Sequence, residues 1–217
     1  MKILLLTLPR QTTHATSELL ATKLGLQIIE DAYTPLRLDF SAGCEQLKQS
    51  DNYIATLFTT LFIVPNRADQ YKQLPIESID KILITKRANP IDHAMSWMLT
   101  IQYRKANPPE DRPTKEKIKS FMTAIEKPQE KAGMIKMSQA KHAEITKWFL
   151  EKYPNKTFIV NYESFQAPAH DERAALLSKD TGFDITANDI ASLKEQKTTV
   201  DFSKHIANYD DVAKLLV

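Results

Sequence analysis

Two short basic segments of the chain carry residue types that bind anions. In the first, Arg10 is the single charge of the sequence TLPRQ, and the hydroxyl-bearing Thr12 and Thr13 follow it. In the second, Lys86 and Arg87 stand together in the sequence ITKRANP. A cation and hydroxyl groups at the start of a helix bind phosphate or sulfate, because the first N–H groups of the helix lack intrahelical partners and its dipole is positive there. Each segment therefore predicts an anion site, provided that it joins a strand to a helix.

A predicted strand and a predicted helix flank the first segment. Lys2 to Leu6 (KILLL) is an apolar run behind one Lys, which indicates a strand covered on both faces. From Thr12 apolar residues recur at helical spacing as far as Leu24, and Gly25 is a suitable stop after a helix. The alternative is an α/β protein that begins in this way and binds nothing at the turn.

The second segment has the same setting. Ile79–Thr85 (IDKILIT) predicts a strand, and the basic pair follows it directly. Asn89 is a suitable N-cap, Pro90 suits the first helical position, and Asp92 falls in the first turn. The helix should end before the sequence Asn107-Pro-Pro, since the residue before a proline disfavours helix.

The other predicted elements alternate between strands and helices. In the first half they are a short strand at Leu26–Ile29, a loop with a helical piece at Thr34–Asn52, and a buried helix, or a helix running into a strand, at Tyr53–Val64. In the second half they are an exposed helix at Lys115–Glu126, a helix at Ser138–Tyr153 with Ala140, Ile145, Phe149 and Leu150 in the core, a strand at Lys156–Asn161, and helices at Asp171–Ser178 and His205–Leu216. This alternation predicts an α/β fold with a mostly parallel sheet and helices on both faces.

Composition narrows the classes of function. At 217 residues the chain suits one domain with insertions, and its net charge of +2 gives no field that favours nucleic acid or an anionic membrane. The single Cys44 excludes an internal disulfide and a cysteine-rich zinc site. The chain contains neither Gly-Lys-Ser/Thr nor G-x-G-x-x-G, which excludes the usual nucleotide loops. The first strand is too short for a membrane span or a signal peptide, so we expect a cytoplasmic protein.

Two basic strand-to-helix corners of one parallel sheet can lie side by side and hold two anionic groups of one ligand. The sequence LPRQTTHATSELL resembles the 5′-phosphosulfate loop of sulfotransferases that use PAPS (3′-phosphoadenosine 5′-phosphosulfate), a family with the pattern P-[RK]-[ST]-G-[ST]-T in this loop. The Pro-Arg pair matches directly, and Thr13 falls on the first hydroxyl position after the Gly. Gln11, Thr12 and His14 replace the Ser, the Gly and the second hydroxyl residue.

Three further segments resemble motifs of the same family, in the family's order. ILITKRANPIDHAMSW is similar to the 3′-phosphate motif, with Arg87 and Ser96 nine positions apart. FIVNYESF is similar to the strand that ends in Tyr-Glu-Asp-Leu, with Ser164 in place of the Asp, and HIANYDDVAKLL is similar to the segment I-x-N-Y-(D/E)-E. Together the four matches span the chain from end to end.

The resemblance implies a three-layer α/β sandwich of the P-loop nucleoside-triphosphate-hydrolase type, with one domain over residues 1–217. It implies transfer of a sulfuryl group from PAPS to a hydroxyl or amine of a small-molecule or glycan acceptor, with PAP (3′-phosphoadenosine 5′-phosphate) as the product and no metal. Insertions at about 34–73 and 107–135 would then contact the acceptor. No nucleic acid or membrane partner is implied, and the oligomeric state stays open.

The resemblance also assigns roles to residues. Arg10 and the N–H groups from Gln11 to His14, which include Thr12 and Thr13, would hold the 5′-phosphosulfate. Arg87 and Ser96 would hold the 3′-phosphate. Arg10 would stabilise the negative charge that builds on the bridging oxygen during transfer.

The acceptor hydroxyl needs a general base. Glu30 falls at about the position of the family's catalytic Glu, with Asp31 as an alternative, and His14 is a weaker candidate because it lies in the phosphate loop. The family's His-bearing motif is missing from QLPIESIDKI. A bound anion would raise the pKa of a neighbouring carboxylate and so improve it as a base.

The departures from the family pattern leave two other hypotheses open. Thr12 replaces a Gly where a positive φ would be unfavourable for Thr. The chain could therefore be a weakly active or inactive relative that binds a phosphoadenosine nucleotide or another anionic ligand. An unrelated P-loop kinase would need magnesium and ATP, and the missing Gly-Lys-Ser/Thr counts against it.

Overall fold

The computed structural model describes residues 1–29, 39–107, 117, 121–193 and 200–217. Within these ranges one five-stranded sheet is formed, and all its neighbouring strands are parallel in the order β2-β3-β1-β4-β5. The strands are β1 Lys2–Thr7, β2 Gln27–Ile29, β3 Tyr53–Phe58, β4 Lys81–Lys86 and β5 Thr157–Asn161. The predicted α/β class and parallel sheet are therefore confirmed.

The α-helices lie between and after these strands. They are α1 Thr13–Leu24, α2 Phe40–Gln49, α3 Pro90–Ala106, α4 Pro128–Lys152, α5 His170–Thr181, α6 Ala187–Ala191 and α7 Tyr209–Leu216. Gly25 ends α1 in the left-handed conformation, and the Asn89 side chain caps α3 by accepting two backbone N–H groups, both as predicted. None of the helices in the described ranges is long and apolar enough to cross a membrane.

The alternating residues of β1 divide the core of the sheet into two clusters. Ile3 and Leu5 belong to a cluster with apolar residues of α1, α5 and α6, whereas Leu4 and Leu6 belong to a cluster with residues of α2 and α4. These four side chains are fully buried. Because both faces of a strand are covered, its sequence is a continuous apolar run, which explains KILLL.

The chain divides into two compact units, which are described separately. The first contains Met1–Ala88 and Ala140–Lys197 and holds the whole sheet. The second contains Asn89–Gln139 and Thr198–Val217, and its core includes Met95, Met98 and Ile125. The assignment of residues 1–217 to one domain stays a prediction.

The apolar run Tyr53–Val64 differs from its prediction. It is the strand β3 followed by a 3₁₀ segment, Thr59–Ile63, and not a helix or a helix running into a strand. The physical reason is that β3 lies between β2 and β1 with buried side chains on both faces, so its sequence lacks the alternation that marks a half-buried strand.

Three predicted helices also need correction. The described end of Lys115–Glu126, residues 121–126, is not helical, because Thr123 forms a parallel bridge with Ile206. The same bridge delays the last helix, which starts at Tyr209. Helix α4 starts earlier than predicted because Ala132 and Ile135 are buried and extend its apolar face, whereas Ala140 and Leu150, both predicted in the core, are exposed.

Two glycines with the same backbone conformation should respond differently to substitution by alanine. Gly182 (φ +67°) and Gly25 (φ +64°) both require the left-handed region, which costs an L-residue about 1–2 kcal/mol. A Cβ at Gly182 would lie 2.6 Å from Phe158 Cε1 and 3.0 Å from Lys81 Nζ, whereas a Cβ at Gly25 has nothing within 4 Å. We expect Gly182→Ala to lower the free energy of unfolding in urea by about 1–3 kcal/mol more than Gly25→Ala. Equal losses would contradict this account.

Candidate functional site

The first basic corner lies at the point of the sheet where ligands of open α/β proteins bind. From β1 the chain passes through α1 to β2 on one side of the sheet, whereas β5, which follows β4, lies on the other side. The strand order therefore reverses between β1 and β4, and the crevice outside the carboxyl ends of these two strands is a topological switch point. The corners with Arg10 and Arg87 follow these two neighbouring strands.

The backbone of the β1–α1 loop has the conformation of an anion-binding nest. Arg10 (φ 70°) and Thr12 (φ 55°) both have positive φ, which is uncommon for residues other than Gly and costs about 1–3 kcal/mol each. Thr12 is left-handed and the next residue, Thr13, is the first of α1, so that successive N–H groups converge on a concave surface. No side chain in the described ranges caps this helix. The N–H groups of its first turn therefore have no intrahelical acceptor.

Three side chains of the loop, those of Gln11, Thr12 and Thr13, form hydrogen bonds within the protein. The Gln11 side chain accepts hydrogen bonds at Oε1 from the Leu8 N–H (3.1 Å) and from the Thr85 hydroxyl (2.9 Å). The Thr12 hydroxyl donates to the Gln11 carbonyl oxygen at 2.7 Å, and its residue is only 4% exposed. Thr13 Oγ1 lies 3.0 Å from Thr7 Oγ1. These bonds fix the loop through its side chains.

The second basic corner is held by the segment after β5. The guanidinium carbon of Arg87 lies 4.2 Å from the centroid of the Tyr162 ring, and the Ala88 N–H donates to Glu163 Oε1 at 2.9 Å. Asp180 in turn accepts bonds from the Asn161 N–H and other groups of this segment. The Tyr-Glu pair thus orients the cation of the β4 corner, through a cation–π contact worth about 0.5–1 kcal/mol.

A buried histidine joins the strand ends beneath the loop. His142 Nε2 lies 2.8 Å from the Thr85 carbonyl oxygen, and its Nδ1 lies 2.9 Å from Thr59 Oγ1. Thr59 Oγ1 lies 3.2 Å from the Thr7 carbonyl oxygen, and Thr85 Oγ1 lies 2.7 Å from Thr7 Oγ1. These four residues, which we call the Thr–His ring, are all buried. Burial lowers the pKa of His142, and its hydrogen bond to Thr85 opposes this shift only in part.

The Thr–His ring was not predicted from the sequence. Its histidine shares a helical face with Ile145 and Phe149, three and seven positions further on, and such a face was assigned to the core. The signal in the sequence that could have indicated the ring is a titratable residue, His142, within the apolar stripe of a helix. The three threonines come from β1, from the segment after β3 and from β4, so that only the fold shows that they meet.

The roles of the remaining candidate residues stay predictions. Glu30 and Asp31 lie outside the described residues, and their role as the base stays a prediction. Ser96 is a buried residue of α3 in the second unit, and its role with Arg87 also stays a prediction. His14 is exposed in the first turn of α1. The described residues contain no group of three or more His, Cys, Asp or Glu side chains that could hold a metal ion.

Comparison of the chain with protein-family models gives no match, and comparison with curated protein sequences gives none either.

Proposed function

We propose that the chain is a PAPS-dependent sulfotransferase that moves a sulfuryl group to a hydroxyl or amine of a small-molecule or glycan acceptor. The observation that carries the proposal is the anion nest of the β1–α1 loop at the switch point, beside the strand end that presents Arg87. The proposal includes the fold that the resemblance implies, a three-layer sandwich of the P-loop type. The four segments that resemble the family supply the identity of the ligand, which geometry alone does not.

The loop fits a sulfate or phosphate group despite the replaced glycine. A side chain at this position would obstruct the anion if it pointed outward, but the Thr12 side chain is buried and bonded to Gln11. The N–H groups from Thr12 to His14 thus remain available to oxygen atoms of the ligand. Arg10 is exposed at the same loop and supplies the full positive charge.

Each corner would perform a separate task. PAPS, when bound, supplies the sulfuryl group that is transferred. The nest and Arg10 would hold the 5′-phosphosulfate and stabilise negative charge at the bridging oxygen, because donors fixed in advance need no reorganisation during the reaction. Arg87, held against Tyr162, would bind the 3′-phosphate. Glu30 is proposed to accept the proton of the acceptor hydroxyl.

Calorimetric titration with PAP tests the proposal. We expect wild-type protein to bind PAP and Arg87→Ala to bind it about 10- to 100-fold more weakly, because a hydrogen-bonded ion pair contributes about 1.5–3 kcal/mol. Arg104→Ala is the matched control, since Arg104 is an exposed residue in the last turn of α3 and should leave the affinity unchanged. Absence of any heat of binding for the wild type would overturn the proposal.

A second candidate function is a binding protein without transferase activity. Two observations favour this candidate. Thr12 has a positive φ, which is unfavourable for a residue other than glycine. The Gln11 amide oxygen accepts a hydrogen bond from the Leu8 N–H, so that the loop is held by groups of the protein itself. This candidate predicts that PAP binds in the calorimeter while PAPS is not consumed in the presence of hydroxyl and amine acceptors. Release of PAP that requires an acceptor would exclude it.

A further inference from the structure

The Thr–His ring is one hydrogen bond away from the loop that holds the proposed anion. Thr7, a member of the ring, contacts the Thr13 hydroxyl at 3.0 Å. Thr85, another member, donates to Gln11 Oε1 at 2.9 Å. A change in the hydrogen bonding of His142 can therefore reach both the first residue of α1 and the side chain that supports the loop.

The hydrogen atoms of the ring allow two arrangements. The Thr85 carbonyl oxygen can only accept, so His142 Nε2 carries a hydrogen in both. In the neutral imidazole Nδ1 is an acceptor, and the single hydrogen of Thr59 Oγ1 must choose between Nδ1 and the Thr7 carbonyl oxygen. In the imidazolium, Nδ1 donates to Thr59 Oγ1, which then donates to the Thr7 carbonyl oxygen. The protonated ring therefore satisfies one more acceptor than the neutral ring.

We propose that His142 takes up a proton from solvent when an anion binds at the β1–α1 loop, and that the Thr59 hydrogen then turns to the Thr7 carbonyl oxygen. The affinity for the anion consequently rises as the pH falls. This inference rests on the proposed function in one respect, because it needs an anion at the loop. It adds a proton-linked control of that site, located in a residue that does not contact the ligand.

Electrostatics give the direction of the coupling. Burial keeps His142 neutral in the ligand-free protein at neutral pH, since its pKa is lowered. A bound dianion favours the imidazolium and raises that pKa, so binding takes up protons in the interval between the two values. The groups that touch the imidazole are threonines, which do not titrate in this range.

Charged groups also occur on the histidine's own helix, at the end of β4 and in the β1–α1 loop. On the histidine's own helix, Lys141 and Glu144 pair with each other at 2.7 Å. Lys86 ends β4 and is exposed, as are Arg10 and His14 of the loop. None of them contributes to the pKa shift of His142, whose causes are burial and the Thr85 carbonyl. His14 lies in the first turn of α1 and is replaced in the measurement, so that its ring nitrogens are not confused with those of His142.

Sulfate binding followed through the imidazole nitrogens tests the inference. Sulfate keeps a constant charge between about pH 5 and pH 8, the range in which histidine titrates, so any proton uptake belongs to the protein. The protein carries His14→Gln and ¹⁵N-labelled histidine. We expect saturating sulfate to convert the ring nitrogens of His142 from the neutral tautomer to the imidazolium at mildly acidic pH. The affinity should rise about tenfold for each unit by which sulfate raises the pKa of His142.

His142→Gln in the same background is the matched variant, because its amide keeps a donor for the Thr85 carbonyl. It should bind sulfate with no dependence on pH. If this variant does not fold, the nitrogen shifts of the parent protein decide the question alone.

The outcomes separate the two proposals. Sulfate binding without any change at the His142 nitrogens overturns the coupling and leaves the sulfotransferase proposal standing. Sulfate binding with protonation of His142, but without binding of PAP, supports the coupling and overturns the nucleotide assignment. Failure to bind sulfate at any pH overturns both.

Discussion

We expect Arg10→Ala to lower the turnover of the proposed sulfuryl transfer by about 10²–10³-fold, which is the usual cost of removing one fixed donor to a developing oxyanion. The loss should fall on kcat more than on KM for PAPS, because charge builds on the bridging oxygen only in the transition state. Alanine retains the Cβ, so the positive φ of this residue strains the variant no more than the wild type. PAP release in the presence of a panel of hydroxyl and amine acceptors measures the effect.

Two further variants serve as comparisons for Arg10→Ala. Arg10→Lys keeps the charge but loses the planar, bidentate donor, and it should recover only part of the rate. Arg104→Ala removes an exposed guanidinium elsewhere and should leave the rate unchanged. A weaker affinity for PAPS at unchanged kcat would show that Arg10 contributes only to ground-state binding.

His142→Ala will lower the free energy of unfolding by about 3–5 kcal/mol. The substitution removes the hydrogen bond of His142 to the Thr85 carbonyl and its hydrogen bond to the Thr59 hydroxyl, and loss of a buried partner costs about 1–3 kcal/mol for a group left unsatisfied. It also leaves a cavity next to Ile145 and Phe149, the apolar residues of the same helical face. Unfolding in urea at neutral pH measures the loss, and His14→Ala, at an exposed position, should change stability by less than about 0.5 kcal/mol.

The same side chain should make stability depend on pH in a known direction. Burial lowers the pKa of His142, so below about pH 6.5, the ordinary pKa of histidine, the unfolded chain binds a proton that the folded protein does not. The free energy of unfolding therefore decreases as the pH falls through this region, and above it the contribution of His142 is fully present. His142→Gln should remove this part of the pH dependence. Parallel curves for wild type and variant would contradict the assignment.

The elements that the sequence predicts well are those with local signals. The apolar run of β1, the stop at Gly25, and the cap and proline at the start of α3 each lie within a few residues of the boundary that they determine. The strand β3 was not predicted correctly, because it has no such local signal. Its neighbours in the sheet come from distant parts of the chain, and burial on both faces removes the alternation of apolar and polar residues from its sequence. The β-propensity of its residues could not replace the missing alternation, because β-propensity depends on the packing around a strand.

The same distinction applies to the site. That the corners with Arg10 and Arg87 should be neighbours was predicted from two strand ends in one parallel sheet, and the pairing of β1 with β4 accounts for it. The Thr–His ring could not be predicted, because its hydrogen-bonded partners are separated by 52 to 83 positions in the chain. Hydrogen-bond partners at such separations are set by packing of the whole domain.

The central place of β1 in the sheet bears on how the protein is made. Its partners on the two sides, β3 and β4, begin only at Tyr53 and Lys81, so the ribosome must add about 75 residues before both edges of β1 can be paired. At about 5–20 residues per second this takes about 4–15 s, during which at least one edge of the segment KILLLT lacks its native neighbour. Short apolar segments of this type associate readily with other strands, so the unpaired edge of β1 is an aggregation hazard during biosynthesis.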